Sequence, residues 1–217
     1  MKLFLGLLLF LFISCESNPV DKVKKVENNQ PKKRIENKLD WIELSTLDKS
    51  FVYEMRYATT NNFVQKKMYP CTKCFVRPEV AHALVSIQKE LKKRNFKLKI
   101  FDCYRPGSVQ KKLWKIKPDH RYVADPKKGS MHNRGLAVDV TIVDENGNEL
   151  NMGTPFDYFG KKAYHNYKQL PDTVLKNRMF LKKLMQKYNM MPITSEWWHY
   201  SYRKKTYPVE DWIWTCN

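Results

Sequence analysis

The sequence predicts an α+β fold, a single domain with a central antiparallel sheet flanked by helices. Three observations predict it. The 217 residues suffice for one domain with a sizeable core and fall short of two ordinary ones. Segments of strand period and of helical period are interleaved irregularly, with no repeating crossover unit. A hairpin-type turn signal follows the most apolar strand, which favours antiparallel neighbours. No internal repeat is visible.

The folded part begins near Trp41. From Ser50 to Tyr57 the large residues Phe51, Tyr53, Met55 and Tyr57 alternate with others, the period of a strand with one buried face. Pro78 stands where a helix starts, and Val80, Ala83, Leu84, Ile87 and Leu91 follow at helical spacing, with lysines on the opposite face. Leu98 and Ile100 form a short strand running into Asp102-Cys103-Tyr104-Arg105, which Pro106 and Gly107 stop. A third strand, Leu136 to Val143, is apolar and β-branched and ends at the turn signal Asp144-Glu145-Asn146-Gly147. A second helix is expected from about Asp172, with Leu181, Leu184, Met185 and Tyr188 on one face. The last strand should run through Trp198 to Tyr202.

The N-terminus reads as an address rather than as fold. Lys2 precedes an apolar run from Leu3 to Ile13, far short of the roughly 20 residues a spanning helix needs, so residues 1–14 are assigned as a secretion signal. Phe12-Ile13-Ser14-Cys15 resembles the lipobox of bacterial lipoproteins, which implies lipidation at Cys15; an ordinary cleaved signal with an incidental cysteine is the alternative. Residues 15–40 are polar and lysine-rich and bury too little to fold, so they are assigned as a lipid-anchored flexible tether, leaving 41–217 as the folded domain. The expected location is the bacterial cell envelope, with the membrane as a partner through the anchor. A formal charge of +18 points to anionic surroundings. Nucleic acid is not the reading, because the lysines are scattered and no basic helix, zinc finger or aromatic RNA-binding signature is present. No protein partner is inferred.

Four cysteines remain beyond Cys15: Cys71, Cys74, Cys103 and Cys216. An exported chain can oxidise them, and three full pairings are open. At least one disulfide is expected. A zinc knuckle at Cys71-Thr72-Lys73-Cys74 would need a second ligand pair of similar spacing, and Cys103 and Cys216 stand alone.

The segment richest in chemistry is Gly129-Ser130-Met131-His132-Asn133-Arg134-Gly135-Leu136-Ala137-Val138-Asp139. His132 and Asp139 lie an odd number of positions apart, so on one unbroken strand they would face opposite ways. Gly135 supplies the bend that lets them converge. An aspartate inside so apolar a strand is costly to bury unless paired or bound to metal; a salt bridge to Arg134 or a lysine is the plainer reading. Near the other end stands Glu196-Trp197-Trp198-His199, which alone could be a core histidine with a surface glutamate. Taken together, two imidazoles and one carboxylate make a three-ligand catalytic zinc set, and an unligated glutamate beside them is what a metal hydrolase needs to take a proton from water. The odd spacing of Glu196 and His199 requires a bulge, a turn or a loop before the strand.

These residues resemble a known family. Ser130 to Asp139 resembles the Ser-x-His-x-x-Gly-x-Ala-x-Asp signature of the zinc D,D-peptidases, and Glu196-Trp-Trp-His-Tyr resembles the second signature of its D-alanyl-D-alanine dipeptidase, or VanX-type, branch. The likeness runs from about Leu47 to Tyr202, through Arg56-Tyr57-Ala58-Thr59, Asn62-Phe63, Asp102 to Pro106 and Met152 to Asp157. It implies a hedgehog/D,D-peptidase-like fold, one zinc per chain held by His132, Asp139 and His199, and Glu196 as general base and acid. It further implies Arg105 as the cation facing the tetrahedral intermediate, and Asp157, helped by Ser130, holding the substrate ammonium, with Tyr57 among the substrate-binding residues. Read alone, Arg105 could cap a loop and Asp157 could be an N-cap. The activity implied is hydrolysis of the small-molecule dipeptide D-alanyl-D-alanine. A D,D-carboxypeptidase or endopeptidase on longer wall peptides is the alternative, and a non-catalytic metal-stabilised module, as in hedgehog signalling domains, a more distant one. The stretch between Arg105 and His132 is shorter than in the resistance enzymes, which leaves the breadth of substrate open, and the export signal is a second departure, which points to clearing dipeptide released during peptidoglycan turnover or to trimming wall peptides.

Overall fold

The structure, a computed structural model, describes residues 40–216. The secretion signal, the lipidated Cys15 and the tether expected from the sequence fall, up to residue 39, outside the described residues. The central sheet has five strands in the order β2 (Val52–Tyr53), β4 (Phe96–Asp102), β5 (Ala137–Asp144), β7 (His199–Tyr202) and β6 (Met190–Pro192). A two-stranded ribbon joins β1 (Ile42–Glu43) to β3 (Phe75–Val76). Helices α1 (Pro78–Lys92), α2 (Gly107–Ile116) and α3 (Asp172–Lys187) complete the architecture.

The expected α+β class holds, and the sheet is antiparallel at β4–β5, β5–β7 and β6–β7. The exception is β2, which runs parallel to β4. Helix α1 lies between those two strands in sequence and packs on β4. Such a crossover returns the chain to the end at which it started, which makes the two strands parallel.

Strand β5 is the middle strand of the sheet, and every residue from Ala137 to Val143 is buried. That explains its near-continuous apolar sequence, since both of its faces are covered. Its end matches the turn expected from sequence: the Gly147 amide donates to the Asp144 carbonyl at 3.1 Å with Gly147 at φ 87°. The α1 stripe Val80, Ala83, Leu84, Ile87 and Leu91 is buried as its period requires. In α3, Leu181, Leu184 and Met185 turn inward, and the helix packs against β6.

The long strand expected over 50–57 is much shorter. Only Val52 and Tyr53 pair, and Arg56–Ala58 curls into a 3₁₀ turn. Its alternation reflects burial of Phe51, Met55 and Tyr57 rather than a run of ladder bonds, because an edge strand has one neighbour to pair with. Helix α2 was not expected. Its buried stripe is thin, Val109, Gln110 and Leu113, with lysines between, and Pro106-Gly107 reads as a stop as readily as a start.

All four cysteines beyond Cys15 are paired, Cys71 with Cys216 and Cys74 with Cys103. The knuckle reading of Cys71 and Cys74 is thereby displaced, because each sulfur is spent on a partner distant in sequence.

Candidate active site

The site grows out of the central strands. Asp139 sits on β5 directly opposite His199, the first residue of β7, and Asp102, the last of β4, pairs with Asp139 from the other side. One sheet row therefore carries three polar residues side by side. His132 arrives from the chain just before β5. Its 3₁₀ turn, His132–Arg134, ends at Gly135 with φ 69°. A Cβ at Gly135 would fall 2.3 Å from the Trp41 ring, so both the left-handed backbone and the close approach require glycine. The bend expected from the odd spacing is thus in place. The same holds at the other motif: Glu196 lies in an irregular stretch, and the strand begins only at His199.

The three donor atoms form a tight triangle. Nε2 of His132 is 3.1 Å from Nδ1 of His199, Oδ1 of Asp139 is 3.0 Å from that Nδ1, and Nε2 of His132 is 3.3 Å from the same oxygen. His132 Nδ1 lies 2.7 Å from the Cys103 carbonyl, which can only accept, so Nδ1 carries a proton and Nε2 is the nitrogen left to hold a metal. The three residues are buried, with exposures of 2%, 3% and 8%, and when both ring nitrogens present lone pairs the three atoms call for a cation among them. A tetrahedral zinc with bonds of about 2.0–2.1 Å sets its ligands roughly 3.3 Å apart, so these residues fit that ion. Burial alone would raise the Asp139 carboxyl; the His132 and His199 rings hold it below the usual range instead. Burial pushes His199 down, toward the neutral form a metal ligand needs.

Around the triangle stand groups suited to hydrolysis. Glu196 is 7% exposed, and its Oε2 is 4.0 Å from His199 Nδ1. Burial, then the charges of Asp139 and Asp157, push its carboxyl well above the ordinary glutamate value. Arg105 leads into α2 and reaches back to the sheet: Nε and Nη2 donate to Asp102 Oδ2 at 3.0 and 2.7 Å, and Nη1 donates to Gln110 Oε1 at 3.0 Å. Burial opposes its charge, yet Asp102 keeps it firmly ionised. Nη2 also lies 3.8 Å from Asp139 Oδ2.

Tyr57 and Asp157 meet as a pair, the phenol donating to Oδ2 at 3.1 Å. Asp157 has a left-handed φ of 59°, and burial, reinforced by Asp139, raises its carboxyl to about 8. Ser130 Oγ accepts from the His132 amide at 3.2 Å and so caps the metal-motif turn; it makes no bond to Asp157 among the described residues, although both line the same cavity. That cavity, about 250 Å³, is walled by the triangle together with Tyr57, Arg105, Ser130, Asp157 and Glu196. It is smaller than the pockets that hold drug-sized molecules, as a very small substrate requires.

Two contributors escaped sequence reasoning. Asp102 has no exposure and serves Arg105, the Tyr69 hydroxyl at 2.7 Å and the Cys103 amide at 2.9 Å. The signal was available, since an aspartate closing an apolar strand calls for a partner just as Asp139 does. Asn133 accepts from the Ser130 amide and donates to the Arg105 carbonyl, both at 2.7 Å. It joins the two halves of the site, and nothing in its local sequence announces it.

Comparison with known proteins places the chain in a family. The sequence pattern of the family described as D-ala-D-ala dipeptidase matches residues 37–213. A D-alanyl-D-alanine dipeptidase of Escherichia coli K12 is 32% identical over 169 residues, covering 77% of this chain and 88% of that protein. Another, from Enterococcus faecalis V583, is 27% identical over 180 residues, covering 72% and 88%. Among solved structures, a vancomycin-resistance D,D-dipeptidase in complex with a D-Ala-D-Ala phosphinate analogue aligns with a TM-score of 0.33 and 18% identity, over 61% of this chain and 52% of that one. With a match over residues 37–213 and a relative of this identity along most of its length, the chain belongs to the D-Ala-D-Ala dipeptidase family of peptidases.

Proposed function

We propose that the protein is a zinc-dependent dipeptidase that hydrolyses D-alanyl-D-alanine in peptidoglycan metabolism, exported and held at the cell envelope by a lipid on Cys15. The observation that carries the catalytic reading is the buried triangle of His132 Nε2, Asp139 Oδ1 and His199 Nδ1, with the Glu196 carboxylate 4.0 Å from one corner. His132, Asp139 and His199 would hold one zinc. Zinc in such a set supplies Lewis acidity toward the scissile carbonyl and lowers the pKa of water toward about 7.

The chain's own residues do the rest. Glu196 accepts the proton of the attacking water and returns it to the leaving amine as the C–N bond breaks; burial and the charges of Asp139 and Asp157 raise its affinity for that proton. Arg105 faces the charge that develops on the carbonyl oxygen, already fixed in place by Asp102 and Gln110. Asp157, backed by the Tyr57 hydroxyl, receives the substrate ammonium, and Ser130 closes the wall beside it. The small cavity and this ammonium-binding carboxylate favour a free dipeptide over a longer wall peptide, whose chain would continue where Asp157 stands.

Export rests on the short apolar run before Cys15, and four cysteines paired in two bonds suit an oxidising compartment. Under this reading residues 1–14 are removed, 15–40 form the tether, and 41–217 the enzyme. The test is to incubate the purified zinc protein with D-Ala-D-Ala, L-Ala-L-Ala and a wall pentapeptide and to measure released alanine. Cleavage of the first far above the others is expected. Release from the pentapeptide alone would replace this reading with a carboxypeptidase, and no release from any would leave a binding module.

A further inference from the structure

Residues 203–216 form no regular element, yet they are tied down at short intervals against the site. The Glu210 amide donates to the Asn133 carbonyl at 2.9 Å, and its carbonyl accepts from the Gly107 amide at 3.0 Å. Asp211 accepts from the Ser108 amide at 2.7 Å, and the Trp212 carbonyl accepts from the Tyr104 hydroxyl at 3.1 Å. Trp214 is buried, its ring centroid 5.0 Å from that of Tyr69 and its Nε1 donating to the Cys71 carbonyl at 3.3 Å. Two residues later Cys216 closes onto Cys71.

Tyr69 is where this strap meets the chemistry. Its hydroxyl donates to Oδ1 of Asp102, and Oδ2 of the same carboxylate holds Arg105. We propose that the Cys71–Cys216 disulfide, by seating Trp214 on Tyr69, positions Arg105 through Asp102, so that full turnover awaits closure of that bond. The proposal rests on Arg105 answering the oxyanion, as argued above. Tyr69 lies in a stretch with no helix or strand between the 3₁₀ turn at Arg56–Ala58 and β3; its amide donates to the Tyr57 carbonyl at 2.9 Å and its ring packs against Tyr57, and Trp214 supplies the further ring contact that the disulfide secures. A displacement of about 1 Å in a group that must meet a transition state can cost a hundredfold in rate.

The two disulfides differ in access. Cys74 and Cys103 are 2% and 0% exposed, whereas Cys216 is exposed and Cys71 half-buried. A thiolate reductant therefore opens Cys71–Cys216 first. Closure is the reverse exchange: the two thiols lose two protons and two electrons, the S–S bond forms, and an external disulfide is reduced to two thiols. A chain still in a reducing compartment is held back, and it gains full activity once oxidised.

The test compares the zinc-loaded full chain in its oxidised form, after mild dithiol reduction, and as the Cys71→Ser/Cys216→Ser variant. Opening the bond should lower kcat about tenfold or more, within the hundred- to thousandfold that loss of an oxyanion donor costs, while KM and zinc content hold. Tyr69→Phe, which keeps the ring and removes the hydroxyl, should show the same split. In an Arg105→Ala background, opening the bond should change kcat by less than about twofold, because effects that act through one group do not add. An unchanged kcat, a loss confined to KM or zinc content, or an equal loss in the Arg105→Ala background overturns the proposal. Should the double serine variant fail to fold, mild reduction and Tyr69→Phe decide. Oxidised protein that does not cleave D-Ala-D-Ala would instead refute the proposed function. The positioning claim is then read from the ¹⁵N–¹H resonance of Arg105 Nε, which should exchange slowly with the bond closed and quickly with it open; equal exchange refutes it.

Discussion

Replacing Glu196 by glutamine removes a proton acceptor and leaves the volume and the metal ligands in place. The carboxylate lies 4.0 Å from His199 Nδ1, close enough for it to reach a water held at the triangle directly under the proposed mechanism. The full contribution of a general acid–base group, about 10²–10⁴ in rate or roughly 3–5 kcal/mol of barrier, should then be lost from kcat. Stability supplies a second signature of opposite sign. The folded-state pKa of Glu196 is raised above its unfolded value of 4.5, so the native state binds the proton more tightly. Its favourable contribution is fully present below the unfolded pKa and is lost as pH rises through the folded value. Glutamine has no such loss. Metal-free Glu196→Gln should therefore melt above metal-free wild type at pH 8, with the gap closing toward pH 4. D-Alanine release read with a coupled oxidase, zinc by elemental analysis and thermal unfolding at the two pH values make the assay. A variant that keeps both its zinc and the wild-type rate would refute the general-base role, and a lower melting temperature at pH 8 would refute the electrostatic account.

Other outcomes follow from the same geometry. His132→Ala should purify with little zinc, since one donor of three is gone; full occupancy by elemental analysis contradicts the ligand set. Asp157→Asn should lower kcat/KM for free D-Ala-D-Ala about ten- to a hundredfold, the worth of a hydrogen bond to a charged group, and leave an N-acetylated dipeptide unaffected; equal loss on both substrates argues against ammonium binding. Because the Asp157 carboxyl is raised to about 8 and must be ionised to hold an ammonium, wild-type KM should worsen as pH falls through that value, a dependence absent from Asp157→Asn. Asp102→Asn leaves the buried Arg105 guanidinium with only the more distant Asp139 carboxylate, 3.8 Å away, as counter-charge and should cost up to about 3–5 kcal/mol in urea unfolding; a loss below about 1 kcal/mol would show that the pair is replaceable. Cys15→Ala should abolish acylation of the mature chain, and an unchanged mature mass removes the anchor from the account.

The sequence by itself determined the parts of this protein that depend on local pattern and on residue chemistry. The apolar run of β5, the stripes of α1 and the second half of α3, and the 144–147 turn were legible because burial imposes a period on the chain. His132, Asp139, Glu196 and His199 were legible only as a set, because the two motifs together supply the imidazoles and carboxylates of a metal site and resemble the signatures of a known family, and Gly135 because the spacing demanded a bend. The parallel pairing of β2 was decided elsewhere, by where α1 returns the chain, and no residue of Val52–Tyr53 records its direction. Cysteine pairing was likewise open in the sequence, since three pairings satisfied the count and only proximity could choose. Asp102 and Asn133 were passed over because their importance lies in what they reach across the chain: Tyr69 bonds Asp102 over a separation of 33 positions, and Asn133 bonds the Arg105 carbonyl over 28. A period or a motif describes neighbours along the chain, whereas the support of this site is made of contacts across it. Tertiary structure alone decided those, because a hydrogen bond between residues dozens of positions apart leaves no mark on the local sequence of either.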